Sequence, residues 1–385
     1  LPDLDIAGES TNWYWWHFPS TSSGRRFWQA AHDPELAVFD PQLFLVNPKL
    51  IKWFKKTFPE EEKCDERDPF FIGEYARTRR LTPYQFQEPV LRLRIYTRHH
   101  FHLVQSLART KTYFLAYLFL KASAYQQLQP FSDVFGVTSS HILERYSTLD
   151  QIAGFPTQTL ADSLQALASG HLPDPMGNAI TLKQVGQRSW PLPDALVEPV
   201  HRILTLTLEH IRFLEHQIQR VEAWIHAEAR SLPDVAWLMS IPGIGLVLAT
   251  TLVAEIGDVQ RFLEGEKWDK KRKRWRKKNA KDGEAALAKH CGLWWSHSSS
   301  GDFDGDERHL VKAGNRYARY AFVQGAFSCK NHEPEYVAYY AKKYRQSVKH
   351  KHRRALILTA RKLVGLVFAL LRKQAPYQPP EVRNH

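Results

Sequence analysis

Cysteine is scarce in this chain of 385 residues, and long apolar runs are absent. Its three cysteines, Cys64, Cys291 and Cys329, are odd in number and far apart, so they offer neither a disulfide framework nor a zinc site of four ligands. The expected compartment is therefore a reducing cytoplasm. The most apolar late stretch, residues 355–371, is interrupted by two cations, and no membrane-spanning segment or membrane partner is expected.

Acidic residues are also in deficit. Forty aspartates and glutamates stand against 53 lysines and arginines, which gives a formal net charge of +13. This excess favours a polyanionic partner, because basic side chains that neutralise phosphates release bound counterions. Charge alone does not prove such a partner.

A tight turn between two helices is predicted at residues 240–245, which read Ser-Ile-Pro-Gly-Ile-Gly. Pro242 fixes φ and lacks an amide hydrogen, while Gly243 and Gly245 accept backbone angles that a β-carbon forbids. The next helix, residues 246–256, then begins with unpaired amides that attract a phosphate. This is the arrangement of a helix-hairpin-helix, which holds a nucleic-acid backbone without reading its sequence. The alternative is an ordinary turn whose glycines only allow close packing.

The first part of the chain is predicted to be an α/β, RNase H-like domain. Short apolar segments between prolines predict buried strands that alternate with helices. The segments are residues 4–8, 36–39 and 43–46 as strands and residues 49–58 as a helix. Glu9 follows the first strand, at the kind of strand end where α/β folds carry their chemistry. The chain begins with Leu1 rather than methionine, and we expect it to be truncated.

Two aspartates, Asp65 and Asp68, have the spacing that places both on one face of a helix. Pro69 fits better at the first helical position, with Asp68 as the N-cap and Asp65 in the preceding turn. Clustered carboxylates bind Mg²⁺ through hard oxygen atoms, and the metal polarises a phosphodiester. The alternative is a capping aspartate beside a solvated charge cluster.

Long helices are predicted for the middle of the chain. Residues 83–129 combine a helical pattern with many arginines, histidines and aromatic rings, which suits a nucleic-acid backbone and stacked bases. A solvated face over a packed aromatic side is the alternative. Apolar residues recur every seven positions from Val197 to Ile225, with a second set three positions later, and this seam predicts a coiled coil and an oligomer. A long helix that packs within its own domain is the alternative.

A basic run at residues 267–278 surrounds Trp268 and Trp275. Its cations neutralise phosphates, and its indoles stack on unpaired bases. The predicted contacts to RNA or DNA include Lys271, Arg272 and Arg274. A solvated tail or a localisation signal is the alternative.

Ser299 and Ser300, which precede Gly301, are candidate nucleophiles. A serine alkoxide attacks a phosphodiester and holds the broken strand as a phosphoserine ester, which conserves the bond energy for rejoining. Serine-rich segments before glycine are more often only loops, so the residues alone leave both interpretations open. Polar side chains near a predicted helix start at Gly314 are candidates for holding a phosphate. They are Lys312, Asn315, Arg316 and Arg319.

The order and spacing of these motifs over residues 238–377 resemble the C-terminal transposase domain of the insertion sequence 110 family. Its members are the DEDD transposases, also called bridge-RNA recombinases. The matching segments are residues 240–245, Ala-Glu-Ile-Gly-Asp at 254–258, Arg-Phe at 261–262, Cys-Gly-Leu at 291–293, Ser-Ser-Gly at 299–301, Lys-Ala-Gly-Asn-Arg at 312–316, Arg-Lys-Leu at 361–363 and Pro-Tyr at 376–377. Each motif is weak alone, and their succession is strong.

The resemblance implies an N-terminal RuvC-like domain with four acids that bind Mg²⁺. Glu9, Asp65 and Asp68 match three of these acids, and the first aspartate is expected on a strand upstream of Leu1. The resemblance also implies that Ser299 or Ser300 is the nucleophile and works with the acidic site. The implied partners are element and target DNA, a structured guide (bridge) RNA, and further copies of the chain in a dimer or tetramer. The implied location is the nucleoid of a prokaryotic cell.

The predicted fold class is therefore α/β plus α. We expect a RuvC-like domain at residues 1–82, a helical and coiled-coil region at 83–230, and a C-terminal transposase domain with the helix-hairpin-helix at 231–385. The predicted function is a transposase or recombinase that cuts and rejoins the DNA of a mobile element. Two alternatives stay open: a truncated remnant that only binds DNA or RNA, and a site-specific DNA invertase.

Overall fold

The computed structural model describes residues 33–37, 44, 46, 48–58, 67–78, 87–269, 272–295, 299–300, 303–304 and 310–379. The chain divides into two compact units, residues 1–88 and residues 89–385. In the described part of the chain, none of the helices is both long and apolar enough to span a membrane.

Helices dominate the described residues of both units. They are α1 (Pro34–Ala37), α2 (Pro48–Lys55), α3 (Asp68–Thr78), α4 (Glu88–Lys121), α5 (Tyr125–Leu128), α6 (Val137–Arg145), α7 (Asp150–Ala153), α8 (Thr157–Leu167), α9 (Pro175–Arg188), α10 (Asp194–Ala229), α11 (Pro233–Met239), α12 (Leu246–Ile256), α13 (Ala280–His290), α14 (Arg316–His332), α15 (Pro334–Gln346) and α16 (Lys351–Lys373). The strands are β1 (Glu266–Asp269), β2 (Arg274–Lys277), β3 (Trp294–Trp295), β4 (Ser299–Ser300), β5 (Phe303–Asp304) and β6 (Leu310–Val311).

The described part of the first unit is built on the pair α2 and α3. Phe54 contacts Tyr75, and Phe58 contacts Phe71, with ring centroids 5.4 Å apart in each pair. The helix predicted at residues 49–58 is present as α2. Phe44 and Val46 are buried and form isolated β-bridges. The described residues of this unit therefore form a mainly helical structure rather than the sheet expected for an α/β domain.

The strand predicted at residues 36–39 is wrong where the structure describes it, because α1 continues to Ala37. The Asp33 carboxylate accepts a hydrogen bond from the Glu35 amide at 2.9 Å. Pro34 follows directly, with the fixed φ that suits the first helical position. This local capping pattern favours a helical turn over a strand.

In the second unit, α4 and α10 pack as an antiparallel pair. Ion pairs join Arg92 to Glu228 at 3.1 Å and Lys111 to Glu215 at 2.7 Å. Leu93 packs against Val221 and Ile225 at one end, and Phe114 and Leu118 pack against Leu204 and Ile211 at the other; these residues are nearly or fully buried. The heptad seam of α10 therefore faces a helix of the same chain. This matches the alternative in which the long helix packs within its own domain, and assembly into an oligomer stays a prediction.

The short helices α5–α9 close the far end of this helix pair and share one apolar core with it. Leu143, Ile152, Leu164 and Leu182 are fully buried there. The C-terminal core forms around α12, which packs against α11 and α14, while α14 packs against α16. Its buried residues include Leu252, Phe322, Leu363 and Val367, together with the free cysteines Cys291 and Cys329. This second core positions the turn, the serine strand and the basic hairpin described below.

Candidate nucleic-acid interface

Helices α11 and α12 are joined by a tight turn at residues 240–245. The Ile244 amide donates to the Ile241 carbonyl at 3.0 Å and closes the turn. Gly243 has φ +91°, and a β-carbon there would lie 3.0 Å from backbone atoms of Ser328 and Cys329. Glycine is therefore required for the turn to pack on α14.

The first turn of α12 presents open amides. Gly245 is its N-cap, with φ −82° and ψ 173°, and no side chain caps the helix. A β-carbon added at Gly245 would meet no atom within 4 Å, so a ligand has access to the backbone. Uncapped amides at a helix N-terminus carry partial positive charge, which favours an anion.

A groove of about 280 Å³ adjoins this turn between α4, α12 and α14. Val247 and Leu248 of the first α12 turn form one side, and Phe101, Gln324 and Phe327 form others. Phe327 is 46% exposed. The groove therefore continues the open α12 N-terminus onto the surface of α14.

The basic run forms a β-hairpin. β1 and β2 are antiparallel, and Trp268 lies opposite Trp275 with ring centroids 5.6 Å apart. The two indoles are 44% and 62% exposed. The Arg272 amide donates to the Asp269 carboxylate in the turn, and Lys271 lies outside the described residues. The hairpin thus carries two exposed indoles among cations.

The other face of this hairpin is anchored to α13. Lys267 and Arg276 lie opposite each other and donate to the Asp282 carboxylate at 2.7 and 2.6 Å. Asn279 and Asp282 also form a capping box at the start of α13. The hydrogen bond from Arg276, followed by that from Lys267, holds the pKa of Asp282 well below its usual range. The anchor fixes the hairpin, so its indole face points away from α13.

Both candidate nucleophiles lie on a strand. Ser299 pairs with Asp304 and Ser300 pairs with Phe303 in the antiparallel β4–β5 ladder. A second ladder pairs Trp294 with Val311 and Trp295 with Leu310. The structure therefore places the serines in the β4–β5 ladder, which lies in sequence between the two strands of the β3–β6 ladder. Strands β3 to β6 are together called the serine hairpin below.

Two glycines bring the ends of the serine hairpin together. Gly314 has φ +152°, and a β-carbon there would lie 2.5 Å from the His290 carbonyl oxygen and 2.6 Å from the Gly292 nitrogen. The Asn315 amide donates to the His290 carbonyl at 2.7 Å. The root of the hairpin is thus a close backbone contact that no residue with a side chain can make.

Asn315 links this root to a buried carboxylate. Its side-chain oxygen accepts hydrogen bonds from the amides of Tyr317 and Ala318 and so caps α14. Its side-chain nitrogen donates to Glu255 at 2.6 Å. Arg98 donates to both oxygens of the same carboxylate, at 2.6 and 2.8 Å. Both polar atoms of the Asn315 side chain therefore form hydrogen bonds within the protein. Its predicted contact to nucleic acid stays a prediction.

Glu255 is ionised although its side chain is fully buried. Burial alone would raise its pKa, but hydrogen bonds and charge from Arg98, the charge of Arg94 and a hydrogen bond from Asn315 outweigh burial and lower it. A buried carboxylate with this many donors is a fixed negative centre. It ties α4, α12 and the start of α14 together, and Asn315 connects it to the root of the serine hairpin.

Three cations predicted to hold a phosphate have different surroundings. Arg319 donates to the Lys312 carbonyl at 2.6 Å, so it supports the serine hairpin from inside. Arg316 is exposed, and its guanidinium lies 4.8 Å from the Tyr317 ring centroid. Lys312 is exposed as well. Lys312 and Arg316 are therefore the two that a phosphate can reach.

Several basic residues of α4 form hydrogen bonds or ion pairs within the protein. Arg94 donates to the Ala254 carbonyl at 2.8 Å, and His100 lies 2.9 Å from the Glu222 carboxylate. Arg98 and Lys111 have the acidic partners given above. For these residues the packed alternative describes the structure better than a nucleic-acid face.

The buried side chain of His290 is expected to make the free energy of unfolding depend on pH. Burial lowers the pKa of His290 to about 4, and the charge of Arg261 acts in the same direction. The unfolded chain binds a proton near pH 6.5 and the folded chain only near pH 4, so stability is lost as the pH falls through this window. We expect His290 to account for about 2 kcal/mol of lost unfolding free energy between pH 7.5 and 5.0.

Urea unfolding at the two pH values tests this prediction. His290→Gln should flatten the pH dependence by that amount, whereas replacement of the exposed His171 with glutamine should leave it as in the parent protein. If the unfolding free energies of the parent and of His290→Gln changed equally with pH, His290 would not be the source of the pH dependence.

The predicted acidic site is described only at Asp68. This residue begins α3 with Pro69 in the first turn, and its carboxylate pairs with Lys55. Glu9 and Asp65 lie outside the described residues. Within the described ranges, no group of three or more histidines, cysteines, aspartates and glutamates is placed to hold a metal.

Reasoning from sequence missed the Glu255 cluster as a unit. Glu255 appeared only as part of a family motif, and Arg98 only as part of a basic face. One signal was present: Glu255 is the single charged residue in α12, whose other residues are apolar except for two threonines. A lone acid in such a helix requires a buried partner.

Comparisons with known proteins match transposases in both units of the chain. A family profile for DEDD proteins of the IS110 type, described as "Transposase", matches residues 26–120. A second, described as "Transposase IS116/IS110/IS902 family", matches residues 235–268 and 276–341. The "Insertion element IS110 uncharacterized 43.6 kDa protein" of Streptomyces coelicolor is 27% identical over 329 residues, which cover 83% of this chain and 73% of that protein. The chain belongs to the IS110 family of transposases.

Proposed function

We propose that this transposase cuts and rejoins the DNA of a mobile element through a serine nucleophile, Ser299 or Ser300. The observation that carries the proposal is the serine hairpin itself. It presents two adjacent serines on a strand, and its root is locked to the buried Glu255–Asn315 cluster. A nucleophile must be held in a fixed geometry, and this root provides the support.

The proposed chemistry is a transesterification. The serine oxygen attacks the phosphorus of a phosphodiester, a new phosphorus–oxygen bond forms, and the bond to one deoxyribose oxygen breaks. The serine proton leaves with that oxygen as a hydroxyl group. A hydroxyl of the incoming strand then attacks the phosphoserine ester, restores the serine and joins the strands without an external energy source.

We assign Glu9, Asp65 and Asp68 to a Mg²⁺ site in the RuvC-like part of the chain. The donor set fits this ion, because it consists of carboxylate oxygens, and Asp68 already holds a cationic group, the Lys55 ammonium. When bound, Mg²⁺ would stabilise the negative charge that develops on the phosphate. The acidic site would act together with the serine hairpin, as the resemblance implies.

DNA binding is assigned to the open amides of α12 and to the exposed Lys312 and Arg316. Together they offer backbone donors and positive charge without contacts to base edges, which suits sequence-independent binding of phosphates. This is the role of a helix-hairpin-helix. A structured guide RNA would then select the sites, and two or four copies of the chain would hold the paired DNA ends.

The basic hairpin is assigned to nucleic-acid contact. Residues 269–275 at its tip separate the two segments that the second family profile matches, which suggests an addition to the shared core. Trp268 and Trp275 offer stacking surfaces for unpaired bases, and Arg272, Arg274 and Lys271 offer charge. Unpaired bases arise in a guide RNA and in melted DNA.

An excision assay tests the proposed function. Cells carry a plasmid with the gene in its natural flanking DNA, and the rejoined junction is quantified by amplification. Asp68→Asn should lower the junction yield by roughly a hundredfold, since a bound metal contributes several kcal/mol to the transition state. Asp194→Asn is the matched control, because Asp194 also begins a helix, and it should not change the yield.

Junction formation by Asp68→Asn at the parent level would remove Asp68 from the site. A parent protein that binds DNA but yields no junction under any condition would favour the binding-only alternative.

A further inference from the structure

The elbow between α15 and α16 is a strongly basic surface that the catalytic proposal leaves unused. Residues 336–380 contain eleven lysines and arginines and no aspartate or glutamate. Seven of these cations lie within residues 342–354, at the end of α15 and the start of α16. The exposed ones are Lys342, Arg345, Lys349, Lys351, Arg353 and Arg354. Residues 342–354 are called the basic elbow below.

The geometry of the basic elbow is fixed by its own contacts. Tyr340 of α15 and His352 of α16 share a hydrogen bond of 2.7 Å. The Ser347 hydroxyl donates to the Lys343 carbonyl at 2.8 Å, and His350 adopts φ +50° at the bend. The cations are thus displayed on a bend that is already formed, which lowers the entropic cost of binding.

Stability of the fold does not account for these charges. Three of them, Lys351, Arg353 and Arg354, stand in the first turn of α16, where the helix dipole is positive and cations are unfavourable. No carboxylate among the described residues pairs with any of the three. A cluster that weakens its own helix is explained by a polyanion that binds it.

The basic elbow also adjoins the groove beside α12. Phe327 lines that groove and contacts His352, with ring centroids 6.4 Å apart. The Lys330 ammonium lies 4.5 Å from the Phe327 ring and 5.2 Å from the Tyr340 ring. A continuous surface therefore runs from the open α12 amides across Phe327 to the elbow.

We propose that the basic elbow binds the phosphate backbone of duplex DNA next to the segment held at the α12 turn. This inference rests on the proposed function, which supplies duplex DNA as the substrate. Lysines and arginines at this bend have the opposite charge to a phosphate backbone, and a contact to phosphates alone is independent of sequence. The elbow would extend the length of duplex that the protein contacts, and it would take no part in cleavage.

The test is the salt dependence of DNA binding by the full chain. The elbow variant carries Lys349→Gln, Lys351→Gln, Arg353→Gln and Arg354→Gln. Binding to a labelled 40-base-pair duplex is measured between 50 and 300 mM salt. Each lost phosphate contact should reduce the slope of log K against log salt by about 0.9, so the four changes should reduce it by up to roughly 3.6.

A charge-matched control separates the elbow from net charge. It carries the same number of changes to glutamine on exposed residues of α9 and α10: Arg188, Arg202, Arg212 and Arg220. Its slope should stay at the parent value. Thermal unfolding of both variants checks that the fold is kept, and Tyr340→Phe, which loosens the bend and keeps every charge, should lower affinity with little change of slope.

An elbow variant with the parent slope, or a control with the same loss, would overturn the proposal. Equal loss of binding to single-stranded RNA but not to duplex DNA would assign the elbow to RNA and would also overturn it. Failure of the proposed function has a different signature, because a protein without strand cleavage can still show the slope change. Normal excision by the parent with no slope change in the elbow variant would reject the elbow alone.

Discussion

Replacing Glu255 with alanine is expected to lower the free energy of unfolding by about 3–5 kcal/mol, because it breaks an ion pair whose carboxylate is fully buried. Arg98 would lose both of its hydrogen bonds to the carboxylate, and the Asn315 side-chain nitrogen would lose its acceptor. The carboxylate side of these bonds is closed to solvent, since the Glu255 side chain is fully buried, and the Arg98 side chain is only 20% exposed. Urea unfolding followed by circular dichroism measures the change.

The matched control is Glu215→Ala. Glu215 also accepts a hydrogen bond from a cation of α4, Lys111, at 2.7 Å, but it is 40% exposed. An exposed ion pair contributes at most about 1 kcal/mol. Equal losses in the two variants would contradict the assignment of Glu255 as the buried charge that holds α4, α12 and α14 together.

Removing both serines is expected to abolish the covalent protein–DNA complex. Ser299→Ala with Ser300→Ala removes both candidate hydroxyls of strand β4 and leaves Ser296 and Ser298, which the proposed mechanism does not use, in place. Loss of a nucleophile typically costs a thousandfold or more in rate, so we expect at least roughly that reduction in adduct formation. The adduct is measured as labelled duplex DNA that stays with the denatured protein in a gel.

Single variants show which of the two serines is the nucleophile. One of Ser299→Ala and Ser300→Ala should match the double variant, and the other should keep much of the parent activity. Ser231→Ala, a change at an exposed loop serine, is the control and should form the adduct at the parent level. Adduct formation by the double variant would reject the serine mechanism.

Local sequence was sufficient for the turn at residues 240–245 and for the long helix α10. Proline and glycine restrict or extend the backbone angles of their own positions, so Pro242 and Gly243 report a turn without any tertiary information. A seven-residue repeat likewise reports one buried helix face. The repeat does not show which element packs on that face. In the structure, α4 packs on it.

Local sequence was insufficient for short apolar runs and for contacts between distant residues. Residues 36–39 form a short apolar run, which periodicity cannot assign to helix or strand, and the Asp33–Pro34 cap favours the helix that is seen as far as Ala37. The arginines of α4 look alike in sequence, yet Arg98 meets a buried carboxylate 157 positions away. The serine strand depends on cross-strand pairing and on the backbone contact at Gly314, which no local propensity encodes.

The most direct test of the central claim is to identify the residue that carries DNA in the parent protein. The full chain is incubated with a labelled duplex that spans an end of the element, the covalent complex is digested with protease and nuclease, and the nucleotide-bearing peptide is sequenced by mass spectrometry. The proposed mechanism predicts a nucleotide phosphate attached to Ser299 or Ser300. Attachment to any other residue, or strand exchange in the absence of a covalent protein–DNA intermediate, would contradict it.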